Sequence, residues 1–341
     1  MSVEVAEQPE AVARTLAHLR PARADLVRLA TGRRRVLLVA RGSSDNAAVY
    51  GRYLLETHAR WSAALAAPSV ATLYQADLDL SDAIVVSVSQ SGATEEIVEA
   101  QAWATRHGAA TVAVTNDGDS PLASTADVAL VTKAGVERAV PATKTYTTQL
   151  TAMAVLATAL SPDPEALDGA LDRVPAEIAG LIERRSGIDE AVDCLARSAE
   201  VLVSGRGLVF GTALEIALKL EETCLRPVRG LSYADLRHGP MAVIDAELVA
   251  VLVAPADGPV LPGMHDLADD VAARGAVTIG IGGDARFAAK CGVAVEGPDL
   301  PETVAPLALV VPGQLIVEQL ARRLGLDPDA PRGLKKITQT D

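Results

Sequence analysis

Apolar runs in the first half of this 341-residue chain return in the second half at a constant spacing. Matching runs are found at residues 36–42 and 201–207, 84–88 and 249–253, and 128–130 and 293–295. A fourth pair, 108–112 and 275–279, is slightly farther apart, as a two-residue loop insertion would produce. Self-similarity at a fixed spacing indicates an ancient duplication, so the chain should fold as two similar modules.

Each copy alternates short β-branched runs with amphipathic helical segments, separated by Gly, Ser or Asp turns. This alternation predicts right-handed βαβ crossovers on a parallel sheet, so the expected fold class is α/β, with two tandem flavodoxin-like domains. Pro175 predicts a break within the segment between the copies. The expected segments are an N-terminal helical segment (1–34), a first α/β domain (35–160), a helical connector (161–198), a second α/β domain (199–330) and a tail (331–341).

Charge and targeting signals limit the classes of partner. Acidic residues outnumber basic ones by 44 to 31, so we expect no nucleic-acid partner and no binding to anionic membranes. Cys194, Cys224 and Cys291 lack CxxC or metal-ligand spacing, which predicts reduced thiols and no metal. The N-terminus does not have the pattern of a signal peptide, and the apolar stretch 304–317 is too short to cross a bilayer. We therefore expect a cytoplasmic protein without a cofactor.

A phosphate-binding loop is predicted at residues 89–94, between an apolar run and a helix. Ligands of open α/β sheets bind beyond the carboxyl ends of the strands, where this loop lies. Gly92 permits a close backbone approach, and the amino end of the helix offers N–H groups to an anion. The hydroxyls of Ser89, Ser91 and Thr94 can complete the shell. The alternative is a helix that is merely capped by these residues.

Three further turns bear on the choice of ligand. Residues 254–257, the counterpart of the loop in the second copy, contain Asp257 and no hydroxyl, so only the first copy is predicted to bind phosphate. Ser44 lies at the start of a helix after the first strand, where ordinary capping explains its position as well as ligand contact does. The turn 205–211 resembles a dinucleotide loop, but the acid that such a site needs about twenty residues later is missing.

Charged residues of the second copy form a candidate catalytic group. Glu215, Lys219 and Glu222 are spaced by four and three residues and therefore share a helix face, which could also be a solvated salt-bridge face. His238 lies between a charged segment and a Gly-Pro turn, which is not the environment of a core residue. Together they offer the acid, base and cation that sugar-phosphate isomerisation needs. The polar tail at 331–336 either contributes to this site or is frayed.

The chain resembles the tandem sugar isomerase (SIS) domains that form the isomerase half of glucosamine-6-phosphate synthase and the related stand-alone glucosamine-6-phosphate deaminases. The resemblance extends over essentially the whole chain. Its motifs are at residues 7–9, 89–94, 142–149, 217–222, 237–240 and 331–336.

This resemblance implies two groups of site residues. Those lining the phosphate and sugar would be Ser44, Ser89, Gln90, Ser91, Thr94, Val140 and Ala142. Glu222 would move the proton between C1 and C2, while His238 would open the sugar ring. Lys219 would support this chemistry, and Lys336 would close over the site as an amine able to form an imine. Family members are dimers in which the histidine loop reaches a neighbour's pocket, so a homodimer with a shared active site is also implied.

Departures from the family pattern affect the expected substrate. Ala142 lacks the sugar-contacting hydroxyl of the synthase, Arg229 stands where the family usually has Glu, and Lys335 adds a cation beside Lys336. The sequence starts directly before the isomerase region, without a glutamine-hydrolysing domain, so we expect deamination. The expected reaction converts glucosamine 6-phosphate to fructose 6-phosphate and ammonia. The alternatives are a deaminase or isomerase of galactosamine 6-phosphate or fructosamine 6-phosphate, and a non-catalytic sugar-phosphate-binding regulator.

Overall fold

The computed structural model describes residues 1–336. Within this range the strands are β1 (Arg35–Val39), β2 (Ser62–Leu65), β3 (Ala83–Val88), β4 (Ala110–Thr115), β5 (Val128–Val131), β6 (Glu200–Gly205), β7 (Val228–Ser232), β8 (Leu248–Ala254), β9 (Val277–Gly282) and β10 (Val293–Val295). The helices are α1 (Ser2–Ala6), α2 (Gln8–Leu19), α3 (Arg23–Ala30), α4 (Ser43–Leu54), α5 (Pro68–Thr72), α6 (Glu95–Arg106), α7 (Pro121–Thr125), α8 (Lys144–Leu160), α9 (Glu165–Arg184), α10 (Ile188–Arg197), α11 (Phe210–Cys224), α12 (Tyr233–Arg237), α13 (Leu261–Ala272), α14 (Ala285–Lys290) and α15 (Ala305–Arg323).

The strands form two five-stranded parallel sheets with the same internal order. The first sheet has the order β2-β1-β3-β4-β5 and the second, read from its other edge, β7-β6-β8-β9-β10. Both follow the 2-1-3-4-5 order of flavodoxin-like sheets. At the constant spacing of the repeat, β6 begins at the position that corresponds to the start of β1. β9 begins two residues later than the position that corresponds to the start of β4. The predicted α/β class, the parallel sheets and the local drift of the repeat are thus confirmed.

The chain divides into two compact units, each containing one sheet. The unit with the first sheet comprises residues 10–137, 144–172 and the described residues from Lys335 onward. The unit with the second sheet comprises residues 1–9, 138–143 and 173–334. Neither unit is one continuous stretch of the chain. The domain boundaries expected from the sequence stay a prediction.

In each unit the core lies against the central strands. Every residue of β3 and β4 is buried, as is every residue of β8, because helices cover both faces of a parallel sheet. Trp103 on α6 packs in the first core and donates its indole N–H to Ala76 O at 3.1 Å. Phe287 on α14 is fully buried in the second core.

Two elements differ from the sequence-based expectation. Pro175 does not break the connector, because α9 continues through it; that prediction was wrong. Leu171, Val174 and Ile178, all fully buried, recur at helical spacing around the proline, and their packing maintains the helix where one backbone hydrogen bond is lost. The edge strands β2 and β7 were not predicted, since their short sequences lack a clear alternation of apolar and polar residues.

No helix within residues 1–336 combines the length and the apolar composition that crossing a bilayer requires. The three cysteines, which lie in that range, are free, as expected of reduced thiols.

Candidate active site

The predicted phosphate loop lies between β3 and α6, at the carboxyl end of the first sheet. Ser89 N–H donates to Val114 O, which ties the loop to the neighbouring strand. The Ser89 and Thr94 hydroxyl oxygens are 3.3 Å apart, and Ser89 Oγ accepts from Gly92 N–H at 3.2 Å. Ser91 Oγ accepts from Ala93 N–H at 3.2 Å. The loop therefore holds hydroxyls and a positive-φ glycine around the amino end of a helix, which suits an anion.

Thr94 is the N-cap residue of α6, but its side chain makes no capping hydrogen bond. Its hydroxyl contacts Ser89 instead. The alternative explanation of the motif was a helix that is merely capped by these residues. Thr94 does not cap α6 through its side chain, so that explanation does not account for Thr94. Phosphate binding stays a prediction for these residues.

A second turn lies beside this loop in the same unit. Arg41, which follows β1, makes a two-pronged ion pair with Glu96 in the first turn of α6, at 2.9 and 2.8 Å. The turn leads through Gly42, at φ 56°, into α4. Ser44 is 9% exposed, and its Oγ accepts from Gln149 Nε2 at 3.0 Å. Gln149 thus fixes the orientation of the hydroxyl expected to contact the ligand.

A cavity of about 560 Å³ adjoins the loop through Gln90. Asn116, directly after β4, shapes one wall: its Oδ1 accepts from Ala134 N–H at 2.7 Å, and its Nδ2 donates to Gly135 O at 2.9 Å. The backbone of Gln90 is fixed by the same residue, because Asn116 N–H donates to Gln90 O. Asn116 was missed by the sequence analysis, although its position immediately after a central strand was a usable signal.

Glu137 is the second residue that the sequence analysis missed. Its buried carboxylate accepts from Thr145 N–H at 3.1 Å and from Thr145 Oγ1 at 2.6 Å. Lys336 Nζ donates to the same carboxylate at 2.7 Å. This ion pair joins Lys336 to Glu137 within the first-sheet unit, and residues 337–341 of the predicted tail lie outside the described residues.

The second-sheet unit contains the candidate catalytic strip on α11. Lys219 is 1% exposed and lies between two carboxylates: it forms an ion pair with Glu215 at 3.6 Å and a shorter one with Glu222. Glu215 is fully buried, so a solvated salt-bridge face does not describe this strip. The Glu222 side chain is 25% exposed. A buried ammonium therefore holds a carboxylate that solvent or a ligand can reach.

His238 lies at the carboxyl end of the five-residue helix α12. Its backbone N–H donates to Asp235 O at 3.1 Å, and its side chain is exposed. No hydrogen bond or ion pair to its ring occurs within residues 1–336. Both ring nitrogens are thus accessible for proton transfer to a ligand.

The remaining predicted residues lie in the second-sheet unit or at exposed positions. Val140 and Ala142 are half-buried in the segment 138–143. Val140 N–H donates to Asp329 O at 2.8 Å, which fixes that segment. Arg229 on β7 and Lys335 in the tail are exposed, and neither forms an ion pair in the described part of the chain.

Carboxylates occupy the second-copy counterpart of the phosphate loop. Asp257 Oδ1 accepts from Glu302 N–H at 2.8 Å, and the Glu302 carboxylate lies against Gly258, where an added Cβ would be 2.1 Å from its oxygen. Glu302 is the counterpart of Glu137 at the constant spacing of the duplication. Burial, and then the charge of Asp257, raise the pKa of Glu302 to about 7. Carboxylates at this position disfavour a bound anion, and the absence of a phosphate site in the second copy stays a prediction.

Replacing Glu302 with Gln should stabilise the protein at alkaline pH. Because the pKa of Glu302 is raised in the folded state, its contribution to stability is complete below about pH 4.5 and is lost as the pH rises through about 7. The Tm difference between Glu302→Gln and the parent protein should therefore grow from pH 5.5 to pH 8.5, reaching about 2–5 °C. Thermal unfolding at both pH values measures this, with exposed Glu165→Gln as the control. A pH-independent difference contradicts the assignment.

The loop at 205–211 does not have the features of a dinucleotide site. An added Cβ on Gly205 would be 3.0 Å from the Ala213 Cβ, so this glycine serves close packing of β6 against α11. The next strand in sequence, β7, ends at Ser232 and not at an acid that could bind a ribose.

The chain is similar to one described protein family and to several known enzymes. The family model described as SIS domain matches residues 30–159. The isomerizing glutamine–fructose-6-phosphate aminotransferase of Aquifex aeolicus is 33% identical over 343 residues, covering 100% of this chain and 58% of that protein. This chain spans between 51% and 58% of the length of such relatives.

Two solved structures match over almost the entire chain. The C-terminal domain of glucosamine-fructose-6-phosphate aminotransferase from Francisella tularensis has a TM-score of 0.89 at 27% identity, covering 96% of this chain and 97% of that one. A protein of Silicibacter pomeroyi, provisionally named a phosphosugar isomerase, has a TM-score of 0.87 at 32% identity, covering 96% and 99%.

Proposed function

Because the chain belongs to the SIS domain family, we propose that it is an amino-sugar-phosphate isomerase that converts glucosamine 6-phosphate and water to fructose 6-phosphate and ammonia. The observation that carries this proposal is the accessible Glu222 carboxylate held by buried Lys219. A fixed carboxylate next to a cation is what proton transfer between adjacent carbons requires. A regulator that only binds a sugar phosphate would not need it.

The phosphate loop would anchor the substrate. Ser89, Ser91 and Thr94 would donate hydroxyl hydrogen bonds to the phosphate, and the amino end of α6 would add its N–H groups. Ser44, oriented by Gln149, would add a further hydroxyl. Asp257 and Glu302 disfavour an equivalent anion site in the second copy, which supports one phosphate per chain.

The identical strand order supports the view that the second sheet is a second SIS domain.

The chemistry would proceed by proton transfers. His238 would take the proton of the C1 hydroxyl and return a proton to the ring oxygen, giving the open-chain aldehyde. Glu222 would remove the C2 proton and return it to C1, while the C1 oxygen gains a proton and the C2 amine loses one, which leaves a C2 imine. Water then adds at C2, and ammonia leaves with fructose 6-phosphate as the product. Lys219 would stabilise charge on Glu222, and Lys336 would cover the substrate from the tail.

A turnover assay tests this proposal. Purified protein is incubated separately with glucosamine 6-phosphate, galactosamine 6-phosphate and fructosamine 6-phosphate, while ammonia and ketose phosphate are measured. Ammonia in the first reaction at a rate above the others is expected. The reverse reaction, from fructose 6-phosphate and ammonium, checks the same equilibrium. No product from any substrate contradicts the enzyme proposal, and faster turnover of another substrate reassigns the sugar.

We further propose a homodimer whose active sites each use His238 from the partner. Inactive Glu222→Gln and His238→Asn proteins are mixed, dissociated and reassembled. Half of the dimers should be mixed, and each mixed dimer has one native site, so about a quarter of the parent activity should return. Unmixed variants are the controls. No recovery in verified mixed dimers contradicts the shared site.

A further inference from the structure

The position of His238 depends on α12, because the histidine ring has no side-chain partner of its own within residues 1–336. A helix of five residues is too short to be stable alone, so its contacts decide where it lies. Leu236 is fully buried in the second core. Ser232 caps the helix by accepting from Asp235 N–H at 3.2 Å. These contacts, together with an ion pair between Arg237 and Asp270 on α13, hold the carboxyl-terminal part of the helix.

Tyr233, the first residue of α12, supplies a further contact. The guanidinium of Arg206 lies 4.5 Å from the centre of its ring, and that of Arg237 lies 5.7 Å from it. The ring also lies against α13, where a Cβ added to Gly263 would be only 2.7 Å from the Tyr233 hydroxyl oxygen. We call Tyr233, Arg206 and Arg237 the arginine–tyrosine stack. It connects the end of β6 to the helix that ends at His238.

The duplication shows that this contact is specific to the second copy. At the constant spacing of the repeat, Arg206 is the counterpart of Arg41, and Leu261 is the counterpart of Glu96. In the first copy Arg41 forms an ion pair with Glu96, whereas in the second copy the acid is replaced by an apolar residue. Arg206 forms no ion pair in the described part of the chain, and its guanidinium lies over Tyr233 instead. The same arginine therefore fixes a different helix in each copy.

We infer that Tyr233 and Arg206 are positioning residues that set the location of His238. This inference rests on the proposed role of His238 in ring opening. A cation over an aromatic ring contributes attraction that a leucine at position 233 would lack. Loss of the stack would loosen the amino end of α12, and a displacement of about 1 Å at a proton-transfer group can lower the rate about a hundredfold.

Turnover separates positioning from a loss of folded protein. Tyr233→Leu should lower kcat about tenfold to a hundredfold with KM nearly unchanged, whereas Tyr233→Phe, which keeps the ring, should retain most of the activity. Ring opening should then limit the rate, so the kinetic isotope effect with glucosamine 6-phosphate deuterated at C2 should fall towards one. Arg206→Met should behave like Tyr233→Leu, and the double variant should lose little more than either single variant.

A pair of glycine variants independently tests the contact between the Tyr233 ring and α13. Gly263→Ala would push against the Tyr233 hydroxyl, whereas Gly169→Ala on α9 has no atom within 4 Å of the added carbon. Only Gly263→Ala should lower kcat. Tyr74→Leu, at a tyrosine that is 79% exposed, is the control for loss of a surface ring.

Hydrogen–deuterium exchange decides the inference without reference to activity. The backbone amides of residues 233–243 should exchange faster in Tyr233→Leu and Arg206→Met, but not in Tyr233→Phe. Unchanged exchange in that segment, or an unchanged isotope effect in an active Tyr233→Leu, overturns the inference. If the parent protein turns over no amino-sugar phosphate, the proposed function fails, while the exchange result still decides whether Tyr233 positions α12.

Discussion

Glutamine in place of Glu222 should lower kcat by about 10²–10⁴-fold, the usual contribution of one proton-transfer group. Glutamine has nearly the same size and can still accept a hydrogen bond from Lys219, so the helix and the substrate pocket should be preserved. It cannot remove a proton from carbon. KM should therefore change little, and the loss should appear in kcat and in exchange of the C2 proton with solvent.

The adjacent acid provides a matched control. Glu221 is exposed on the same helix turn, and it forms no ion pair within residues 1–336. Glu221→Gln removes the same charge from almost the same place, so its kcat should stay within about twofold of the parent value. Equal losses in the two variants would attribute the effect to local charge, and an unchanged kcat in Glu222→Gln would remove this residue from the mechanism.

Alanine in place of Gly92 should disrupt the phosphate loop. The added Cβ would be 2.1 Å from Ser120 Oγ and 2.5 Å from Ser120 Cβ, at a backbone φ of 62° that disfavours side chains. Ser120 cannot easily move, because its Oγ donates to Asp117 O and accepts from Ala123 N–H. The strained backbone and the overlap together should reduce the free energy of unfolding by about 2–5 kcal/mol.

Gly32 separates the two causes of that loss. It has a similar positive φ of 80°, but no atom lies within 4 Å of an added Cβ. Gly32→Ala should therefore lose only about 1–2 kcal/mol. Urea unfolding of both variants measures the difference, and the Tm increase caused by added inorganic phosphate tests the loop directly. A Gly92→Ala protein that keeps both stability and the phosphate-induced increase contradicts the proposed site.

The conformation of the candidate phosphate loop and the shared helix face of the candidate catalytic strip were predictable, because each is encoded within a short stretch of sequence. A glycine among hydroxyls after an apolar run, and acids and a lysine three and four residues apart, specify local geometry through backbone preferences and helical periodicity. The duplication added an internal control, since Asp257 marked the second copy as a poor anion site. Edge strand β2 lacked such a signal, because its Ser-Ala-Ala-Leu sequence contains none of the β-branched or aromatic residues that are enriched in strands.

By itself the sequence determined the repeat, the parallel α/β architecture and the positions of the loop and strip, because these depend on periodic patterns between near neighbours. Only the tertiary structure decided that Lys219 is buried between two carboxylates, that Lys336 pairs with Glu137, and that Arg206 contacts Tyr233 instead of an acid. Burial and long-range pairing depend on which distant segments the fold brings together, and no local pattern specifies that.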